Sequence, residues 1–209
     1  LEYDDVLNKQ RTSIYKRRQE ILEGLSREDV SKIIFEAVED YFKKFWASRE
    51  QAERESFDAG LKKMFEEAGI GSIGGQGSGV PPSLELRRAG RGQESEAMEL
   101  LKRRSDEAAA DPFSRNRLLG ILDLLWMNQL DDLEALSESV GLRAYGQKDP
   151  IVEYRHEAHR LFKDFWNNFN GWVFMNIFRL LTLFAIRNLV TRRVTARETD
   201  IKNKIVKFN

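Results

Sequence analysis

At 209 residues the chain can bury a substantial core, and its 34 basic side chains are balanced by 34 acidic ones. That neutrality argues against nucleic-acid binding, which needs a basic footprint. The absence of cysteine excludes disulfides and thiolate metal sites and fits a reducing compartment. The chain opens on Leu1 with no basic segment, apolar run or cleavage site behind it, so it is expected to be a piece of something longer.

Only 4 prolines and no alternating β-branched runs predict an all-α protein. The first helix is expected from about Asp4 to Glu23, with Lys, Arg, Gln and Glu on its wet side. A second starts at Ser26, with Asp29 three residues on as a capping-box partner. It carries Val30, Ile33, Ile34, Ala37, Val38, Tyr41, Phe42 and Phe45 at helical spacing. Ser48 with Gln51 reads as another capping box, opening a third helix through Phe57, Leu61, Met64 and Phe65.

From Gly69 to about Gln93 the pattern breaks, with Gly69, Gly71, Gly74, Gly75, Gly77, Gly79, Pro81 and Pro82. Such a composition cannot form a core and reads as a linker or loop. Gly69-x-Gly71-x-x-Gly74 matches a dinucleotide fingerprint by letter, but no strand precedes it. Gly74 and Gly79 have P-loop spacing, yet Val80-Pro81 stand where Lys and Ser/Thr are needed to hold phosphates. The segment therefore binds no ATP by itself. A fourth helix follows over about Glu94–Ala110, ended by Asp111-Pro112.

Two long patterns come next. Leu118, Leu122, Leu125, Leu133, Leu136 and Val140 share one helical face, as do Ile151, Tyr154, Ala158, Leu161, Phe162, Phe165 and Phe169. Asp149 is a good N-cap and Pro150 suits the first helical position, while Gly141 and Gly146 supply the freedom a reversal needs. The result is an antiparallel helical hairpin with Arg143, Tyr145 and Lys148 at its tip. His156-Glu157-Ala158-His159 falls one residue short of the zincin spacing, and no further His or Cys could close a metal site. A solvated helix face is the expectation, with no metal ligands. Asp4-Asp5 and Asp131-Asp132 are neighbours in sequence and point to different sides of a helix, so no acid–base pair and no catalytic residue is expected.

Gly171–Val190 is the most hydrophobic stretch, running from Trp172, Val173 and Phe174 to Ile186. Arg179 and Arg187 would each cost about 2.5–3.5 kcal/mol at mid-bilayer, so burial against partner helices is preferred to a membrane span. A helix lying at a membrane interface stays open. The tail from Thr191 is net basic, with Arg192, Arg193, Arg197, Lys202, Lys204 and Lys207 against Glu198 and Asp200.

Three segments carry a family resemblance. One is Leu142-Arg143-Ala144-Tyr145-Gly146-Gln147-Lys148-Asp149-Pro150 with Glu153-Tyr154. Another is Tyr3-Asp4-Asp5-Val6 with Asn8, Gln10-Arg11 and Ile14-Tyr15. The third is Asp123-x-x-Trp126-x-x-x-Leu130-Asp131-Asp132. Taken in chain order, they resemble SecA, the bacterial preprotein translocase motor. The family usually has Gly and Ala where Ala144 and Gly146 stand, and commonly His at the place of Gln129. The match covers residues 1–22 and 117–166 well, 25–113 weakly and 170–209 hardly at all.

The resemblance implies a scaffold helix over 1–24 and a helical wing domain over 25–113, with its Gly/Pro linker near 69–93. A two-helix finger over 114–170 would follow, to which the residues themselves add an apolar helix over 171–191 and a basic tail over 192–209. It further implies a finger tip of Leu142, Arg143, Tyr145, Gln147 and Lys148 that meets the SecYEG channel and unfolded preproteins. Asp4, Asp5, Asn8 and Arg11 would face the motor domains, and Trp126, Leu130 and Leu133 would pack finger on scaffold. A finger helix of about 25 residues spans roughly 37 Å, a reach that could couple a distant ATPase to a channel. ATP and magnesium would belong to the motor domains, outside this segment, which needs no cofactor of its own. The same resemblance places the protein in the cytoplasm at the inner face of the plasma membrane, adds acidic phospholipids as partners and leaves a homodimer open. Two other readings remain: an interfacial membrane-binding helical module and a stand-alone helical adaptor.

Overall fold

A computed structural model describes residues 2–24, 26–48, 54–68, 93–143 and 149–177. Every regular element among them is helical: α1 (Glu2–Glu23), α2 (Arg27–Ala47), α3 (Arg54–Glu67), α4 (Gln93–Ala109), α5 (Ser114–Arg143) and α6 over 150–177. The Gly/Pro segment and the chain beyond 177 lie outside the described residues, as do the wider apolar stretch and the basic tail.

The helix boundaries follow from local chemistry. Ser26 accepts from the Asp29 amide, and the Asp29 carboxylate accepts from the Ser26 amide, so the expected capping box opens α2. Asp149 accepts from the Ile151 amide at 3.0 Å and caps α6, with Pro150 in the first turn. Ser48 closes α2, its hydroxyl donating to the Phe45 carbonyl at 2.6 Å, and its expected capping-box partner Gln51 lies outside the described residues. A serine three residues before Gln51 suits either role, and the free carbonyls of α2 win it. Gly141 is not a turn residue: α5 runs through it to Arg143, and no atom lies within 4 Å of where its Cβ would stand.

Two apolar clusters hold the six helices. The larger draws on every one: Ile14 and Ile21 of α1, Val38 and Phe42 of α2, Met64 and Phe65 of α3, Ala97 and Leu101 of α4, Leu118 and Leu122 of α5, and Phe169 and Phe174 of α6. Among the described residues, helices α2 to α4 form no cluster separate from the rest. They share one with α1, α5 and α6. The smaller cluster joins Leu133, Leu136, Val140, Tyr154 and Ala158, with Tyr3, Val6, Leu7 and Leu161 packed against it. Here the N-terminal half of α1 lies in the cleft between α5 and α6.

Helix α6 is continuous across Gly171, so the boundary expected between residues 170 and 171 is not a break in the helix. A Cβ at Gly171 would stand 3.1 Å from Tyr41 Cε2, and that close approach lets the Tyr41 ring lie over α6 against Phe174, with centroids 5.2 Å apart. Lys44 donates to Asn167 at 2.6 Å, and Asn170 donates to Asp40 at 2.6 Å, forming a polar rim beside that aromatic contact. Val173, Phe174 and Ile177 are buried while Trp172 is half-exposed. The start of the apolar stretch is thus consumed by packing. Among the described residues no helix is long and apolar enough to cross a membrane.

Candidate functional site

The residues with a candidate role sit on a hairpin and on the helix it embraces. The predicted face of α5, Leu118, Leu122, Leu125, Leu133, Leu136 and Val140, is buried throughout. It meets Tyr154, Ala158 and Phe165 of α6, so the two helices lie side by side as an antiparallel pair. Helix α5 has 30 residues, a rod of about 45 Å.

Trp126 is buried and meets Phe165 edge to face with centroids 6.5 Å apart. Leu130 is partly buried against the larger cluster, and Leu133 belongs to the smaller one, beside Tyr3, Val6 and Leu7 of α1. The Tyr3 and Tyr154 rings meet edge to face at 4.5 Å. Burial pushes the Tyr154 phenol above its ordinary value, with Tyr3 and Asp4 adding to the effect. Asp4, Asp5 and Asn8 stand exposed along the first turns of α1, and the Arg11 guanidinium donates to Asn8 Oδ1 at 3.2 Å. These side chains form a polar strip along the first turns of α1. At the tip, Leu142 and Arg143 end α5, but their side chains lie outside the described residues, as do Tyr145, Gln147 and Lys148 entirely.

Sequence reasoning missed the polar centre of this assembly. Gln10 and Gln129 are both buried, at 4% exposure each. Gln129 Nε2 donates to Gln10 Oε1 at 3.1 Å, and Gln10 Nε2 donates to the Ala158 carbonyl at 3.1 Å. One relay thus touches α5, α1 and α6. The signal was present: Gln129 stands in the gap between Leu125 and Leu133 where the apolar repeat of α5 calls for another leucine. A second missed group pins the junctions. Arg115 of α5 donates to the Gly24 carbonyl, capping the C-terminus of α1. Arg27 donates twice to the Asp106 carbonyl, and Asp111, its side chain fully buried, accepts from Arg117 and from the Phe113 amide.

The chemistry on offer is mechanical. A groove of about 460 Å³ between α1 and α5 is lined by Ile14, Tyr15, Leu22, Trp126 and Met127, with the Arg18–Asp123 ion pair across it at 3.1 Å. It holds no nucleophile with a base beside it. His156 and His159 are exposed on α6, and no cluster able to hold a metal ion occurs among the described residues.

A family model described as the SecA wing and scaffold domain matches residues 1–181. The protein translocase subunit SecA of Chlorobium phaeobacteroides strain BS1 is 36% identical over 171 residues, covering 78% of this chain and 15% of that protein. Its counterpart in Pelotomaculum thermopropionicum is 32% identical over 200 residues, covering 93% of this chain and 22% of the relative. That of Desulforamulus reducens is 34% identical over 188 residues, 86% of this chain and 21% of the relative. The chain thus spans between 15% and 22% of the length of these curated relatives.

Proposed function

Because this chain belongs to the SecA wing and scaffold family, we propose that it is the part of a protein translocase subunit that carries movement from an ATPase motor to a preprotein. Helix α1 is the scaffold, α5 and α6 are the finger, and α2 to α4 form the wing that braces its base. The single observation that supports this reading is the seating of the hairpin on α1. Tyr3 against Tyr154 and Gln10 on the Ala158 carbonyl place the first turns of α1 far along the finger, close to the α5–α6 connection. A displacement of α1 is thereby passed to the finger end rather than dissipated at its base.

In this proposal Asp4, Asp5, Asn8 and Arg11 meet the motor domains, where ATP and magnesium bind. Tyr145 touches the translocating chain, since an aromatic ring grips many sequences through area alone. Leu142, Arg143, Gln147 and Lys148 complete the tip and face the SecYEG channel. Trp126, Leu130 and Leu133 keep finger and scaffold together. The place of action is the cytoplasmic face of the plasma membrane, with acidic phospholipids as a further contact.

The test is Tyr145→Ala in the full-length translocase subunit, assayed for preprotein import into membrane vesicles. Translocation is expected to fall by about tenfold, the loss of roughly 1.4 kcal/mol of grip, while nucleotide binding is unchanged. Import at the native rate rejects the tip assignment.

A further inference from the structure

Helix α1 repeats its inward residues in threes and fours: Tyr3, Leu7, Gln10, Ile14 and Ile21 all face the hairpin or the larger core. On α5 the corresponding series is Leu122, Leu125, Gln129, Leu133, Leu136 and Val140. Each helix carries one buried glutamine in its seam, and the two meet. They meet between the two apolar clusters, above the Trp126–Phe165 contact and below Leu133.

Apolar seams of this kind are permissive. Leucine and isoleucine contacts survive a shift of one helical turn, because each knob finds a similar hole about 5.4 Å away. A buried amide pair is not permissive. If α1 slips by a turn, Gln10 and Gln129 lose each other, the Ala158 carbonyl loses its second donor, and buried amide groups face hydrocarbon unpaired. We infer that Gln10 and Gln129 form a buried register lock that fixes the axial position of α1 against α5 and α6, so that the helix and the hairpin move as one body.

The lock costs stability relative to an apolar pair of the same shape, which is how polar seam residues act when they specify register. The Arg18–Asp123 pair lies further along the same interface but is exposed at both ends, and exposed pairs contribute little. It reports the register without setting it. This inference concerns how the helices are held and stands whether or not Tyr145 touches cargo.

Because the chain has no cysteine, introduced thiols are the only ones. Two pairs are made in the full chain: Arg18→Cys with Asp123→Cys, which are neighbours in the structure, and Arg18→Cys with Met127→Cys, which become neighbours after a slip of one turn. Each is oxidised to a disulfide, in the native background and with Gln10→Leu plus Gln129→Leu. A disulfide's Cα–Cα reach of at most about 7 Å is stricter than sharing the groove that Arg18, Asp123 and Met127 all line. The native background should cross-link through position 123 and not 127. In the double-leucine background, cross-linking through 127 should rise by about tenfold or more, the factor expected once unpaired amides no longer oppose the slip. Helical circular dichroism should be retained. Continued cross-linking through 123 alone in a helical double-leucine chain overturns the lock. Should that chain lose its helical signal, Gln129→Met, which removes one amide and keeps the length, is read in the same two cysteine backgrounds, and exclusive closure through 123 overturns the inference there too.

Discussion

Glycine shows how differently one residue type is used along this chain. Gly120 lies inside α5 with nothing within 4 Å of its missing Cβ, so only backbone entropy is at stake there. Gly120→Ala is expected to raise stability by about 0.5–1 kcal/mol in urea unfolding. Gly171 carries the Tyr41 ring at 3.1 Å, and a branched side chain would push that ring off Phe174. Gly171→Val should lower stability by about 1–3 kcal/mol by the same measurement. The sequence alone could not tell these glycines apart. Asp29 offers a check on the capping box. Its hydrogen bonds from Ser26 hold its carboxyl below the ordinary carboxylate range. A depressed carboxylate contributes its stability above its unfolded value and loses it as the pH falls through the folded one. The stability gap between the native and Asp29→Ala chains should therefore be constant at neutral pH and close below about pH 4. A gap that persists at pH 2 would show that the carboxylate is not what caps α2.

At the scale of elements, α6 is the member that joins the rest. Its first half packs on α5 and α1 through Tyr154 and Ala158, and its second half packs on α2 and α3 through Phe174. Phe174 is fully buried, touching Tyr41 on one side and Phe65 at 6.1 Å on the other. Phe174→Ala should cost about 3–5 kcal/mol, the transfer loss together with a cavity that three helices cannot easily collapse. A loss below 1 kcal/mol would mean that α2 and α3 do not depend on α6. The hairpin was legible in the sequence because Asp149-Pro150 and two matching apolar faces mark it at short range. The end of α2 was not, because Ser48 is chemically suited to opening a helix as well as closing one.

At the scale of the molecule, the described parts of α2, α3 and α4 share one apolar cluster with α1, α5 and α6. The apolar faces of α2, α3 and α4 join Ile14, Ile21, Leu118 and Phe169 in that cluster. Unfolding should accordingly be a single transition, with tryptophan fluorescence and far-ultraviolet circular dichroism following the same urea curve. Two separated transitions would show that the wing melts independently. Each apolar repeat, each cap and each family motif is complete within a few turns of chain, and so the sequence by itself determined the helices, the hairpin and the kinship. Which helix occupies the cleft of the hairpin, and that two distant glutamines meet there, depends on contacts 119 and 148 residues apart. Only the tertiary structure decided those, because a polar residue on an apolar face has no readable partner until the chain has brought one to it.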